Sequence, residues 1–423
     1  MRALMVCLIL WPWGAQAGEF FTLKGHGGPI MDIAVAPHGQ IATASFDNSV
    51  GLWSGKTPQW LDGHEAAVNV VIPTSTGWIS AGDDFSIRSW PSGDVIGQHK
   101  GKVVELAEQD GLVASASWDG SIGIWQDGQL RYMLAGHEAG VNAVQISADG
   151  KTLYSASTDG TIRVWDLETG QERQQLVRHG FGINELVLNE TMGWLAYGAV
   201  DGATRIIDLN TGADIADFTL NRRPILALAL SPDQNLLAVG DGEGYIMIVD
   251  TGTWKIARDF RATLRGPVWA LAFSRDGENI HAGGLEDAMY SWPINTLTEH
   301  GTMADTQQSF LKDPDEMENG ERQFARKCSI CHSLDPGSNR KAGPTLHGVF
   351  GRRAGAVSDY SYSETLDGSD IIWDDETINA LFDLGPDHYI PGTKMPMQRI
   401  TRPEDRADLI AFLRRATQTG DAE

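Results

Sequence analysis

Residues 136–176 read GHEAGVNAVQISADGKTLYSASTDGTIRVWDLETGQERQQL. VNAVQIS, LYSAS and TIRVWD alternate apolar with polar positions, the period-2 pattern that puts successive side chains on opposite faces of a strand. Asp149-Gly150, Thr158-Asp159-Gly160 and Thr169-Gly170 separate those runs from one another and from QERQQL, and such pairs supply the backbone conformations of tight hairpins. The stretch therefore predicts one four-stranded antiparallel meander. The same unit recurs on both sides of it, each copy closing on a large apolar residue at Trp53, Trp90, Trp125, Trp165, Ile207, Val249 and Trp292, at intervals of 37, 35, 40, 42, 42 and 43 residues. A repeat of this length made of short strands is the sequence form of a radial array of sheets, because one unit cannot bury its own apolar face.

Gly25-His26, Gly63-His64 and Gly136-His137 open copies, Asp47, Asp119, Asp159 and Asp201 stand six residues before a closing position, and Trp165 is followed by Asp166. On these residues, segment 18–292 resembles the WD-repeat family, which implies an all-β propeller of seven blades. The resemblance also implies that the opening His, the turn Asp, a strand hydroxyl such as Ser155 and the closing Trp form a buried hydrogen-bond chain. Structural use of these histidines is the expectation, since buried polar atoms require partners. Copies five to seven depart from the pattern, with Ile207 and Val249 at the closing position and Glu243 and Glu286 where Asp is expected. The last copy ends near Trp292 without an outer strand, and 19–23 supplies an unclaimed strand before the first Gly-His. Their pairing would close the ring and remove two exposed edges.

The chain has 423 residues and a formal charge of −23, and it begins with Met1-Arg2, an apolar run through Trp13 and then Ala15-Gln16-Ala17. A basic tip, a short apolar stretch and a small-x-small site read as a cleaved export signal over 1–17, which implies a periplasmic protein. The run is shorter than the ~20 apolar residues of a spanning helix, so no membrane span is expected after cleavage. Residues 18–300 carry a net −17 and residues 301–423 a net −7. An acidic surface argues against nucleic acid or anionic lipid as a partner.

From 293 to 313 the repeat stops and Thr, Glu, Gln and Asp dominate, reading as a linker. Asp313-Pro314 then predicts a helix start, continuing through Lys327 in a C-terminal domain over 314–423. Cys328-Ser329-Ile330-Cys331-His332 follows, the C-x-x-C-H pattern of covalent haem attachment. Two thiols at this spacing add to two vinyl groups on one haem edge, leaving the adjacent imidazole for the iron. A thioredoxin-type redox pair or half a zinc site would need a βαβ surround or a second cysteine pair, and neither is in the sequence.

Gly343-Pro344-Thr345-Leu346-His347-Gly348, Phe350-Gly351-Arg352, Tyr360-Ser361-Tyr362, Ile371-Ile372-Trp373 and 389–395, YIPGTKM, follow in order. Over 315–417 the chain resembles the class I cytochromes c, an all-α fold. The resemblance implies one covalent haem c with His332 and Met395 as axial ligands, Met397 being the alternative to Met395. It further implies that the Pro344 carbonyl accepts the His332 ring N–H, that Thr393 belongs to the haem-contacting loop, and that Arg352, Tyr362 and Trp373 surround a propionate. Lys327, Lys341, Lys394 and Arg399 are expected around the haem edge, which by resemblance faces the redox partner. His347 and His388 are expected at the surface or in packing.

Three readings follow, the third making the propeller an assembly platform and the haem a secondary feature. In the first, the chain is a periplasmic electron carrier whose propeller docks it on a redox protein serving as donor or acceptor. In the second, it is an oxidoreductase whose propeller holds its own active site and whose haem is the electron outlet. The latter resembles in outline nitrite reductases that join a cytochrome c domain to a propeller, but those have eight blades and a second haem. Here His38 and His281 lack companions at ligand spacing.

Overall fold

The computed structural model describes residues 18–219, 223–263, 265–295, 317–329, 331–338, 340–363, 365–395 and 398–417. The expected signal and most of the expected linker lie outside these. Among the described residues, twenty-eight strands form seven four-stranded antiparallel sheets. Six are meanders of consecutive strands, over 30–62, 68–98, 103–135, 141–178, 183–217 and 225–261. The seventh takes three strands from 268–293 and completes itself with Phe21–Lys24, pairing Phe21 with Ser291 and Leu23 with Met289. Asn279 extends that seam by donating to the Glu19 carbonyl at 3.0 Å. The first and last strands of the propeller thus share one sheet, which closes the ring.

The hydrogen-bond chain expected inside each blade is present in the first four. In blade one the Trp53 indole donates to Thr43 Oγ1 at 2.8 Å, His26 Nε2 meets the same oxygen at 2.7 Å, and His26 Nδ1 meets Asp47 Oδ2 at 2.9 Å. Trp90, Ser80, His64 and Asp84 repeat it in blade two, and Trp165, Ser155, His137 and Asp159 in blade four. Blade three uses His99, which no Gly-His pair announces: its Nε2 meets Ser115 Oγ at 2.8 Å. Blades without the chain rely on packing instead, with Ile207 and Val249 fully buried. In blade seven the Trp292 indole turns to the Ala262 carbonyl at 3.1 Å.

Blades are tied to one another by side chains of their inner strands. Asn69, Asn142 and Asn184 each donate to a carbonyl of the next blade, at Val103, Ile183 and Ile225. Asp32 instead accepts from the Val71 N–H of blade two at 2.9 Å. Each inner strand shifts register by one residue just after its start. Asp32, Glu105 and Glu185 occupy that same shifted position in blades one, three and five.

The repeat ends later than expected, since Pro293 is still paired in the sheet and Ile294 is buried against it. Among the described residues the C-terminal domain has four helices, α1 (Asn319–Lys327), α2 (Asp375–Leu384), α3 (Pro386–Tyr389) and α4 (Pro403–Ala416). Among the described residues helix α1 begins at Asn319, after Glu318, which supplies no side-chain cap; the start expected at Asp313-Pro314 lies outside the described residues. Its end at Lys327 is as expected. Helices α1 and α4 cross so closely at Gly320 that a Cβ there would lie 2.1 Å from the Asp408 carbonyl oxygen, and Phe324 meets Phe412 at 5.5 Å between ring centroids. Arg406, buried on α4, ties down α2 through Asn379 Oδ1 at 2.8 Å and also donates to the Ile400 carbonyl. No described helix is long and apolar enough to cross a membrane.

Burial pushes the Asp32 carboxyl up to about 6, against bonds from Val71 and Ile33 that pull it down. Burial first, then the Asp32 charge, raises Glu105, and burial followed by the charges of Glu105 and Asp32 raises Glu185. A carboxyl raised in the folded state keeps its proton longer there than in the unfolded chain. Its contribution is complete below the unfolded pKa and is lost as pH rises through the folded one. The propeller should therefore lose stability as pH rises from about 4 through about 6, where Asp32 titrates, the raised Glu105 and Glu185 carboxyls adding to the loss, and Glu105→Gln should flatten it. Urea midpoints of wild type and variant across the interval measure it, and parallel slopes would show that these carboxyls do not set it.

Candidate haem centre

Helix α1 delivers Cys328 and Cys331 to one rim of a cavity of about 530 Å³. Both sulfurs are buried, and burial pushes the thiol pKa values up to about 12 and about 11. The turn they belong to is closed by backbone bonds from Cys331 N–H and His332 N–H to the Cys328 carbonyl, at 3.0 and 2.9 Å. His332 follows into the same cavity. Its Nδ1 lies 2.7 Å from the Pro344 carbonyl, which only accepts, so Nδ1 carries the proton and donates. Burial lowers the imidazole's pKa, against the Pro344 bond, which raises it. Among the described residues no hydrogen bond is made by Nε2, which is left for the cavity.

The loop holding that carbonyl approaches the ring so tightly that a Cβ on Gly343 would lie 2.5 Å from His332 Cε1. Glycine is required there by proximity, not by backbone conformation. Met395 lines the cavity too, and its N–H donates to Thr393 Oγ1 at 3.2 Å. Arg352, Tyr362, Trp373 and Thr393 line the same space. Arg352 donates to the carbonyls of His347 and Thr345 at 2.8 and 2.6 Å, which fixes its guanidinium. All nine expected site residues thus surround one cavity. Met397 lies outside the described residues.

These residues fit a haem. The walls are mostly apolar, a free imidazole nitrogen and a thioether both reach the space, and two thiols stand at its rim. The buried Ser363 hydroxyl lines it with no hydrogen-bond partner among the described residues, as a donor awaiting an acceptor would. A haem bound here supplies one-electron chemistry at iron, while Arg352, Tyr362 and Ser363 supply polar groups for its carboxylates.

The family pattern "Cytochrome c" matches residues 317–417, and "WD domain, G-beta repeat" matches 19–54 and 128–166. Cytochrome c of Sesamum indicum is 44% identical over 106 residues, covering 25% of this chain and 93% of that protein. The chain belongs to the cytochrome c family. Cytochrome c of Ginkgo biloba agrees, at 41% identity over 104 residues, 25% of this chain and 91% of its own length. The WD40 β-propeller domain of Doa1 superposes with a TM-score of 0.58 over 65% of this chain and 97% of its own, at 22% identity, which speaks to fold alone. The chain is a WD propeller fused to a cytochrome c domain, and that domain implies haem c.

Several residues around the cytochrome cavity escaped the sequence reading. Tyr360 donates to the Ala342 carbonyl at 2.7 Å and steadies the loop beneath His332; the Tyr-Ser-Tyr motif contained it, but only its second tyrosine was assigned a role. More consequential is one wall. Phe46, Asn48, Glu65, Asp83, Phe85 and Lys102 of blades one to three line the cavity beside Lys327 and Lys394. The basic edge expected to face a partner faces the chain's own propeller, because Arg340 is ion-paired to Asp62 and rests on Trp60. Arg399 takes no part, donating instead to the Asp383 carbonyl at 2.8 Å.

Met395→Ala should leave haem attached but lower its potential by roughly 0.2 V, a fraction of the ~0.8 V over which axial ligands set haem potentials. The near-infrared band of methionine-ligated ferric haem should vanish. Its persistence would assign the ligand to another residue.

Proposed function

We propose that this chain is an exported, periplasmic electron carrier that holds one covalently bound haem c between His332 and Met395, with a propeller that docks it on a redox partner. The observation carrying this reading is the division of labour on His332. Its Nδ1–H is taken by the Pro344 carbonyl while Nε2 is left toward a cavity that Met395 also lines. An imidazole fixed through one nitrogen is oriented and made more basic at the other, as metal-bound histidines are. A thioether as second ligand favours the ferrous state and a high potential, and filling both axial positions leaves none for substrate. Electron exchange rather than turnover at iron follows.

Covalent attachment and stoichiometry are tested together. Protein purified from an export-competent host should retain haem after acid-acetone extraction, with one iron per chain. Cys328→Ala with Cys331→Ala should release the haem to the solvent. Extraction of haem from the unmodified chain would remove the thioether assignment, and two irons per chain would remove the single-carrier reading.

A further inference from the structure

The propeller surface against the cytochrome domain is built for that contact. Arg340 reaches from the domain to Asp62 at 2.5 Å, and its guanidinium sits 4.2 Å over the Trp60 ring. Trp60 in turn packs edge-on against His26, 4.7 Å between centroids, so the contact stands on the buried hydrogen-bond chain of blade one. From blade seven, the Asp287 carboxylate attracts the Lys341 ammonium, whose Nζ is held by the Ser329 carbonyl at 3.0 Å. Asp83 carries Lys102 as an ion pair at the cavity's wall.

A second, independent sign lies in the backbone. One turn position in these blades is held by Gly120, Gly160, Gly202 and Gly244, all with positive φ. In blades one and two the same position is Asn48 at φ 70° and Phe85 at φ 67°. An aromatic side chain in the left-handed region is strained, and such strain is retained where function requires the side chain. Phe85 and Asn48 are the two that line the cavity, and Phe85 remains 38% exposed.

Resting on the haem reading, we propose that this propeller surface is an internal docking site which covers the haem edge and marks the chemistry of the partner. A redox partner exchanging electrons with this protein presents an acidic surface with an aromatic contact, and displaces the propeller from Arg340, Lys341 and Lys327 to reach the haem. The latch suits displacement. Its ion pair is partly exposed and hence weak and screened by salt, so the covered and open arrangements interconvert.

The test uses the full-length holoprotein in its ferrous form, oxidised in stopped flow by hexacyanoferrate(III), an anion, and by tris(phenanthroline)cobalt(III), a cation. Each accepts one electron as the iron becomes ferric. Asp62→Arg and Phe85→Gly should each accelerate both oxidants at least three-fold, and Asp62→Arg with Arg340→Asp should return to the wild-type rate. Glycine suits the turn at position 85 better than Phe, so that variant opens the contact without unfolding the blade. Small-angle scattering should show a larger radius of gyration for both single variants. Acceleration of the anionic oxidant alone would reduce the effect to surface potential and overturn the proposal. Unchanged rates would overturn it also, whatever the radius. Absence of the haem Soret band would fail the haem reading instead, and scattering would still judge the docking.

Discussion

An imidazole has two nitrogens, and the partner of the second one separates structure from function throughout this protein. In blade one both are taken: Nδ1 of His26 by Asp47, Nε2 by Thr43, whose oxygen also receives the Trp53 indole N–H. The donors run in one direction, from indole to hydroxyl to imidazole to carboxylate, so a neutral ring satisfies every group in a buried place where an unmade bond costs about 1–3 kcal/mol. Such a ring has no electron pair left to offer a metal. His332 is half-buried in the cavity wall, yet among the described residues only its Nδ1 is engaged. The residue is the same in both places, and the surrounding partners determine its role.

The same reasoning explains what was legible in the sequence. His26, His64 and His137 announce themselves because glycine precedes each and an aspartate follows twenty to twenty-two residues later. His99 and His179 were hidden by Gln98 and Arg178 in the glycine's place, although Asp119 and Asp201 keep the spacing. The second of them shows how the chain decays, since His179 meets Asp201 at 3.1 Å but finds only the Tyr197 hydroxyl, at 3.4 Å, where a hydroxyl of Ser or Thr would stand. On the cytochrome side, C-x-x-C-H and the Gly-Pro that follows it fix ligand and ligand support by local chain geometry, so their roles are readable without a structure.

Contact between the two domains had no local signature. Lys327, Lys341 and Lys394 read as a partner-facing patch because only sequence neighbours were available to compare them with, and the acidic residues opposite lie some 240 to 330 positions earlier, or in blade seven. One hint was present. Phe85 stands where the repeat elsewhere prefers glycine, and a repeat protein reveals its exceptions more openly than other folds do, since each blade is a control for the others.

Net charge alone would have argued against the two domains meeting, both being acidic. Averages of that kind are overruled at short range, because at about 0.15 M salt charges more than ~8 Å apart are largely screened, and only the groups actually facing one another count. What faces the propeller is Arg340, Lys341 and Lys327; what faces the cytochrome is Asp62, Glu65, Asp83 and Asp287. The ring closure by Phe21–Lys24 matters here as well. It joins the blade carrying Asp287 to the blade carrying Asp62 without a loose edge between them, so carboxylates from opposite ends of the propeller segment act as one rigid surface. A rigid acidic face held to a basic haem edge by a partly exposed, screenable ion pair is strong in shape and weak in energy, and a contact of that kind excludes unsuited partners while yielding to a suited one.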